Sequence, residues 1–289
     1  MQIEESIKGW AQLSSEDLKN HINPGTINPL NRASVVMRTV LLVLFVLTIY
    51  ALLTIDYKSV DVPKAVADTL SNFKTMFVEP YSHRFSWGEA FYEVVVTLGL
   101  AFLTTLIGGV IALLLGLLAA QNLAPKKVTY IIKSLVAFIR AVPTVLWVLI
   151  FAVAAGLGSA AAVIGMTFHT VSYLTKAYSE SFEDLDRSVI EALKASGANW
   201  WQIVLQAVIP SSVTYLLSWT FMRFEINFAN AVAMGAAAGA GGIGFDLFMA
   251  SGFYFDLQEV GLITYLILAV AVVLEFFSTN MKSKILATR

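Results

Sequence analysis

Residues Gly235-Ala-Ala-Ala-Gly-Ala-Gly-Gly-Ile-Gly-Phe245 carry the spacing G-x-G-x-x-G at Gly239, Gly241 and Gly244. Two folds are at stake in this stretch. As a dinucleotide-binding turn it would follow a strand, open a helix and sit inside a βαβ unit. Here it follows an apolar run and precedes Phe245-Asp-Leu-Phe-Met249 and another apolar run, so the βαβ context is missing. Glycine also gives backbone freedom and close approach. Non-helical backbone at membrane depth is tolerated only beside protein or a water-filled path. Gly239, Gly241, Gly242 and Gly244 therefore read as a pliable turn, an outer gate loop in a membrane protein.

The composition supports a membrane protein. The 289 residues are 57% hydrophobic and 13% charged, against about 25% charged in soluble domains. Mean hydropathy is +0.73. The net charge of −1 leaves no footprint for nucleic acid. There is no cysteine, which excludes disulfides, thiolate metal sites and thiol catalysis. The sequence contains no phosphate loop of the G-x-x-x-x-G-K-[ST] type, no H-E-x-x-H and no G-x-S-x-G. His21, His83 and His169 are scattered. No metal site and no catalytic residue is expected.

A span needs about 20 mainly apolar residues. Six are expected, at about 35–55, 92–120, 134–156, 159–176, 203–222 and 257–277. They follow a polar segment, 1–34, in which Ile3, Ile7, Trp10 and Ala11 form a stripe, and the first apolar run reads as a retained signal-anchor. With the N-terminus inside, fourteen Lys and Arg fall on inner segments and five on outer ones. This bias places both termini in the cytoplasm of a plasma (inner) membrane protein. It requires the uncharged run 226–245 to be a non-spanning excursion on the outer side. Val62, Val66, Leu70, Phe73 and Phe77 recur at helical spacing after Asp61 and Pro63, as in an amphipathic surface helix. Tyr81, Phe85 and Trp87 resemble an interfacial aromatic belt. Gly108, Gly109 and Gly116 suit close helix packing.

The inner loop 178–202 is the most informative segment. Asp186 or Ser188 caps a short helix reaching Ser196, Gly197 occupies a C-terminal position tolerant of positive φ, and Asn199 caps the next helix. Val189 and Leu193, four apart, share a face. An ordinary connecting loop is the plain alternative.

Here a family resemblance enters. ABC importer permeases carry a coupling pattern E-A-A, three residues, G, nine residues, I-x-L-P. This chain has Glu191-Ala192-Leu193, then Gly197, then Ala207-Val-Ile209-Pro210. Glu191, Ala192, Gly197 and Pro210 match in spacing; Leu193, Ala207 and Ile209 are conservative departures. The chain most resembles phosphonate-type permeases, through Leu118–Pro125, Arg140-Ala-Val-Pro143, Ala155–Gly158, Phe168-His-Thr170, Arg223-Phe-Glu225 and Gly239–Gly244. That branch has an arginine near the position of Ala229-Asn230, a departure that bears on substrate identity.

The resemblance implies an all-α, six-helix type I importer permease fold, with a permease domain at 35–289. It implies a homodimer in the lipid bilayer, two ATPase subunits docked on the Glu191–Gly197 helices and an extracytoplasmic solute-binding protein. ATP and Mg would sit on the ATPase subunits, with no cofactor on this chain. The expected cargo is phosphonate or a related oxyanion such as phosphate or phosphite; methionine or another organic solute is the alternative within the class. A transporter or channel working without ATP is the alternative outside it. Arg140, His169, Arg223, Glu225 and Asn227 are the candidate pathway residues. Intramembrane Arg is usually functional or paired. Arg140 lies near a span end, from which it can snorkel. Arg223 and Glu225, two apart, do not share a helix face.

Overall fold

The computed structural model describes residues 32–55 and 60–287, with side chains described to residue 280. The expected stripe at Ile3, Ile7, Trp10 and Ala11 lies outside the described residues, as does most of the segment 1–34. The described residues form helices, with no strand among them. They fall into two units divided after Ala65. The first contains α1 (Arg32–Thr54), of mean hydropathy 2.4. Its 23 residues give about 35 Å of helix, enough for a hydrocarbon core of about 30 Å.

The helices that follow are α2 (Val62–Val78), α3 (Trp87–Ala119), α4 (Lys126–Ala141), α5 (Thr144–Ala155), α6 (Ser159–Glu183), α7 (Arg187–Ala195), α8 (Trp200–Ala238), α9 (Ile243–Phe248) and α10 (Leu257–Ala287). Capping sets the start of α3. Ser86 Oγ accepts from Glu89 N, and the Glu89 carboxylate accepts from Ser86 N at 2.6 Å. Small residues at helical spacing, among them Ala101, Thr105, Gly108, Ala112 and Gly116, form its buried stripe. That stripe packs on α6, and a Cβ at Gly108 would lie 2.5 Å from Thr170 Cγ2. Leu103, Leu106, Val110 and Leu114 face outward.

The expected elements change in three places. Residues 134–156 do not form one straight helix: α4 and α5 meet at an 87° bend. Pro143 supplies no N–H and holds Val142 extended, which ends α4. The helix expected at 159–176 continues to Glu183, so the first part of the expected 178–202 loop is helical. Residues 226–238, within the run expected to be a non-spanning excursion, are helical and continue α8. They contain no proline, the single Gly235 is held in the helix by packing, and they bury Asn227, Phe228, Ala231, Met234 and Ala238 against the bundle.

Among the described residues, four helices, α1, α3, α8 and part of α10, are long and apolar enough to cross a membrane, and counting the bent α4–α5 pair gives up to five. α6 is more polar, carrying His169, Lys176, Glu180 and Glu183, and packs against α3, α5 and α8. One core cluster joins Leu100 and Ala101 of α3, Val148 of α5, Met166 of α6 and Phe228 of α8.

α2 begins as its sequence predicts, with Asp61 Oδ1 accepting from Lys64 N at 3.3 Å. Val62, Val66, Leu70 and Phe73 are exposed. Its far end is fixed to α10: Tyr265 Oη donates to Phe77 O at 2.7 Å, and Gln258 Nε2 to Glu79 O at 3.1 Å. Arg84 then pairs with Asp256 at 3.6 Å and Glu259 at 3.3 Å.

The opening glycines do two jobs. Gly239, Gly241 and Gly242 make a positive-φ turn between α8 and α9. Gly244 then lets α9 lie on α8, since a Cβ there would meet Val232 O at 1.9 Å. Thr97 Oγ1 of α3 receives the first N–H of α9, from Ile243, at 3.0 Å.

Candidate functional site

Arg223 lies within α8 and is only 2% exposed. Its Nε donates to Thr170 Oγ1 at 3.3 Å and its Nη2 to His169 Nδ1 at 3.1 Å. A guanidinium only donates, so His169 accepts through Nδ1 and its ring proton resides on Nε2. The Tyr173 ring lies under the guanidinium, 5.1 Å from its carbon. One turn along α8, Asn227 Nδ2 donates to Thr105 Oγ1 at 2.9 Å and to Thr170 Oγ1 at 3.0 Å. Thr170 Oγ1 donates to Asn227 Oδ1 at 3.1 Å. This buried cluster ties α8 to both α3 and α6.

The structure thus brings Arg223, Asn227 and His169 together. Glu225 is half-buried two residues beyond Arg223, and Arg140 stands apart at the end of α4. The sequence reading missed Thr105, Thr170 and Tyr173. A signal was present in α6, where His169, Tyr173 and Lys176 recur at the spacing of one helix face.

A second arrangement lies at α7. Asp186 caps it, accepting from Ser188 N at 2.9 Å. That bond holds the Asp186 carboxyl below its usual range. At the other end Gly197 takes φ 83°, while Ala198 N donates to Leu193 O at 3.0 Å. Asn199 and Gln202 then cap α8 reciprocally, at 2.9 and 2.7 Å. The inward face of α7 consists of Ile190 and Leu193, seated on Phe182, Ile203, Val204 and Val208. Val189, expected to share a face with Leu193, is 48% exposed and points outward. Three-residue spacing, rather than four, aims this short helix. Glu191, Ala192 and Lys194 are exposed beside Val189.

The seat of α7 is polar as well as apolar. Trp200 Nε1 donates to Leu123 O at 2.9 Å and Asn122 Nδ2 to Phe182 O at 2.7 Å. Glu183 accepts from Gln121 N at 2.8 Å and pairs with Lys133 at 2.9 Å. These bonds tie the start of α8 and the ends of α3, α4 and α6 together. Pro210 lies two residues past a widened π turn at Val204–Val208 in α8, a local geometry at which helices bend.

At the opposite end, α9 carries Asp246. Burial, then the charges of Glu93 and Glu259, pushes its carboxyl up to about 6.

Residues 112–289 match the family described as "Binding-protein-dependent transport system inner membrane component". The "Phosphite transport system permease protein PtxC" of Stutzerimonas stutzeri is 34% identical over 63% of this chain and 66% of its own length. The "Phosphate-import permease protein PhnE" of Mycolicibacterium smegmatis is 29% identical over 55% of this chain and 30% of its own length. The chain therefore spans less than two thirds of each. Among solved structures, inward-facing conformations of the MetNI methionine ABC transporter contain a chain with a TM-score of 0.62 at 20% identity, covering 70% of this chain and 99% of that one. At that identity the likeness is one of fold.

Proposed function

Because this chain belongs to the family of binding-protein-dependent transport system inner membrane components, we propose that it is the membrane subunit of an ATP-driven importer of phosphonate or a related small phosphorus oxyanion. Its identity to the phosphite permease supports that cargo class. The methionine transporter shares the fold and gives methionine no comparable support.

In this reading two copies pair around a pathway, α6 completes a set of six spans, and α7 faces the cytoplasm with both termini. Two ATPase subunits, holding ATP and Mg, receive the exposed Val189, Glu191 and Lys194 surface. A solute-binding protein delivers the anion to the outer side, where the Gly239–Gly244 turn and α9 lie. Closure of the ATPases pushes α7, and Pro210 with its widened turn passes the bend into α8. The chain itself performs no chemical step.

One observation carries the reading: a short helix capped at both ends, anchored by Ile190 and Leu193 yet exposing the Glu191 edge. Co-purification of the chain with its ATPase subunits tests it. Glu191→Ala combined with Val189→Asp is expected to abolish association while the chain keeps its thermal midpoint. Undiminished association of that variant contradicts the docking role.

A further inference from the structure

Between α4 and α6 lies a cavity of about 260 Å³ lined by Lys133, Arg140, Thr175, Lys176, Ser179 and Glu180. A second of about 130 Å³ shares Arg140, Lys176 and Glu180 and adds Tyr173 and Trp219. Together they form one basin with three cations on its wall. Two are engaged: Lys133 with Glu183 at 2.9 Å, and Lys176 with Glu180 at 3.6 Å. Arg140 has no hydrogen bond or ion pair among the described residues. Thr175 lines the basin and is 1% exposed, and its buried hydroxyl also lacks a hydrogen-bond partner. Buried polar atoms normally find partners, and an orphan one calls for a ligand or water. A planar cation on the wall and an unpartnered hydroxyl within it are the donor types that match a tetrahedral oxyanion.

We propose that this basin is an anion site for a phosphate-type group, with Arg140 as forked donor, Thr175 as hydroxyl donor and Lys176 as mobile point charge. It deepens the transport reading and rests on it: the basin is a last station on the inner side. The Tyr173 ring separates it from Arg223, lying under that guanidinium on one side and lining the Arg140 cavity on the other. Arg223 and Arg140 are thus successive cations on one route, and His169 lies within the electrostatic reach of both. The Lys176–Glu180 pair is more than half exposed at both partners. Such a pair is weak and opens readily for an incoming anion. Glu180 then faces the anion and keeps its hold loose. A transport site needs that balance, since cargo must enter and also leave. The basin is large enough for the anion together with several waters, at about 30 Å³ each.

The same chemistry could be supplied by free anion or by an anionic lipid headgroup, and one experiment separates them. The permease is assembled with its ATPase subunits in nanodiscs, without the binding protein. Radiolabelled inorganic phosphate is titrated in discs of phosphatidylcholine alone, and lipid retention is read by native mass spectrometry in discs containing phosphatidylglycerol. Arg140→Gln and Thr175→Val are each expected to weaken phosphate binding by about tenfold, the loss of one charge-assisted bond. Arg140→Lys is expected to restore part of it. If phosphate fails to bind but retained phosphatidylglycerol depends on Arg140 and Thr175, the site stands with a headgroup as its source. If neither ligand responds to these variants, the site does not exist. Oxyanion uptake by the complete system separates the two claims: uptake without basin binding sinks only the basin, and basin binding without uptake sinks only the transport reading.

Discussion

Arg223 Nη2 donates to His169 Nδ1 at 3.1 Å, joining α8 to α6 from a position that solvent scarcely reaches. The bond requires an uncharged His169 acceptor. It also leaves the guanidinium fixed by a histidine, a threonine and an aromatic ring, with the cation itself retained inside the bundle. A cation kept there is suited to an anion that passes it.

Replacing Arg223 therefore affects transport more than assembly. Arg223→Met is expected to lower uptake by about tenfold or more while ATPase association persists, since a hydrogen-bonded charge contributes about 1.5–3 kcal/mol. Arg223→Lys rescues little, because an ammonium cannot reproduce the fork to Thr170 and His169. Uptake into proteoliposomes and co-purification, measured side by side, check this. Equal loss in both assays would make Arg223 a folding residue.

Asn227 is expected to behave differently. It bonds to Thr105 of α3 and Thr170 of α6. Asn227→Ala removes these bonds between helices, while Thr105 keeps its bond to Ala101 O and Thr170 its bond from Arg223 Nε, so the expected loss in stability is about 1 kcal/mol or more. Thermal unfolding in detergent reads the loss, and an unchanged midpoint argues against the three-helix tie.

At the turn, Gly244→Ala places a methyl against Val232 O, which is backbone and cannot yield cheaply. The expected loss is about 2 kcal/mol or more, from overpacking. Gly197→Ala meets no nearby atom but must hold φ 83°, which costs about 1–2 kcal/mol for a residue with a Cβ. Gly197→Asn is tolerated better. A ranking of the unfolding midpoints with Gly244→Ala lowest, then Gly197→Ala, then Gly197→Asn is the expected result.

Asp246 gives a pH signature. Its folded carboxyl titrates at about 6 against an unfolded value of 3.8, because burial and the charges of Glu93 and Glu259 favour the protonated form. Between those values the folded state binds more protons than the unfolded state, so stability falls as pH rises. The contribution is complete below the unfolded value and is lost as pH passes about 6. Asp246→Asn is expected to flatten the midpoint's decline between those limits. An unchanged decline assigns it to other groups.

Hydropathy and punctuation made much of the fold legible. Ser86 with Glu89, Asp186, Gly197 and Asn199 with Gln202 mark helix ends by local chemistry that sequence alone displays. The bend at Pro143 was also written in the chain, but the uncharged run across it masked the break. Gly239 was read as part of a longer loop because no charge marks where α8 ends. Long-range partnerships were the least legible. Thr105, Thr170 and Asn227 meet across 57 to 122 residues of sequence, and no local pattern announces such a meeting. Arg140 and Thr175 acquire meaning only once α4 is laid against α6.

The most direct test of the account is uptake by the reconstituted system: this chain, its ATPase subunits and its binding protein in proteoliposomes, offered radiolabelled phosphite, phosphate, methylphosphonate and methionine. The account predicts accumulation of at least one phosphorus oxyanion that requires ATP and the binding protein, and that is lost when Glu191→Ala and Val189→Asp are combined. Accumulation without ATP, or of methionine alone, would contradict it.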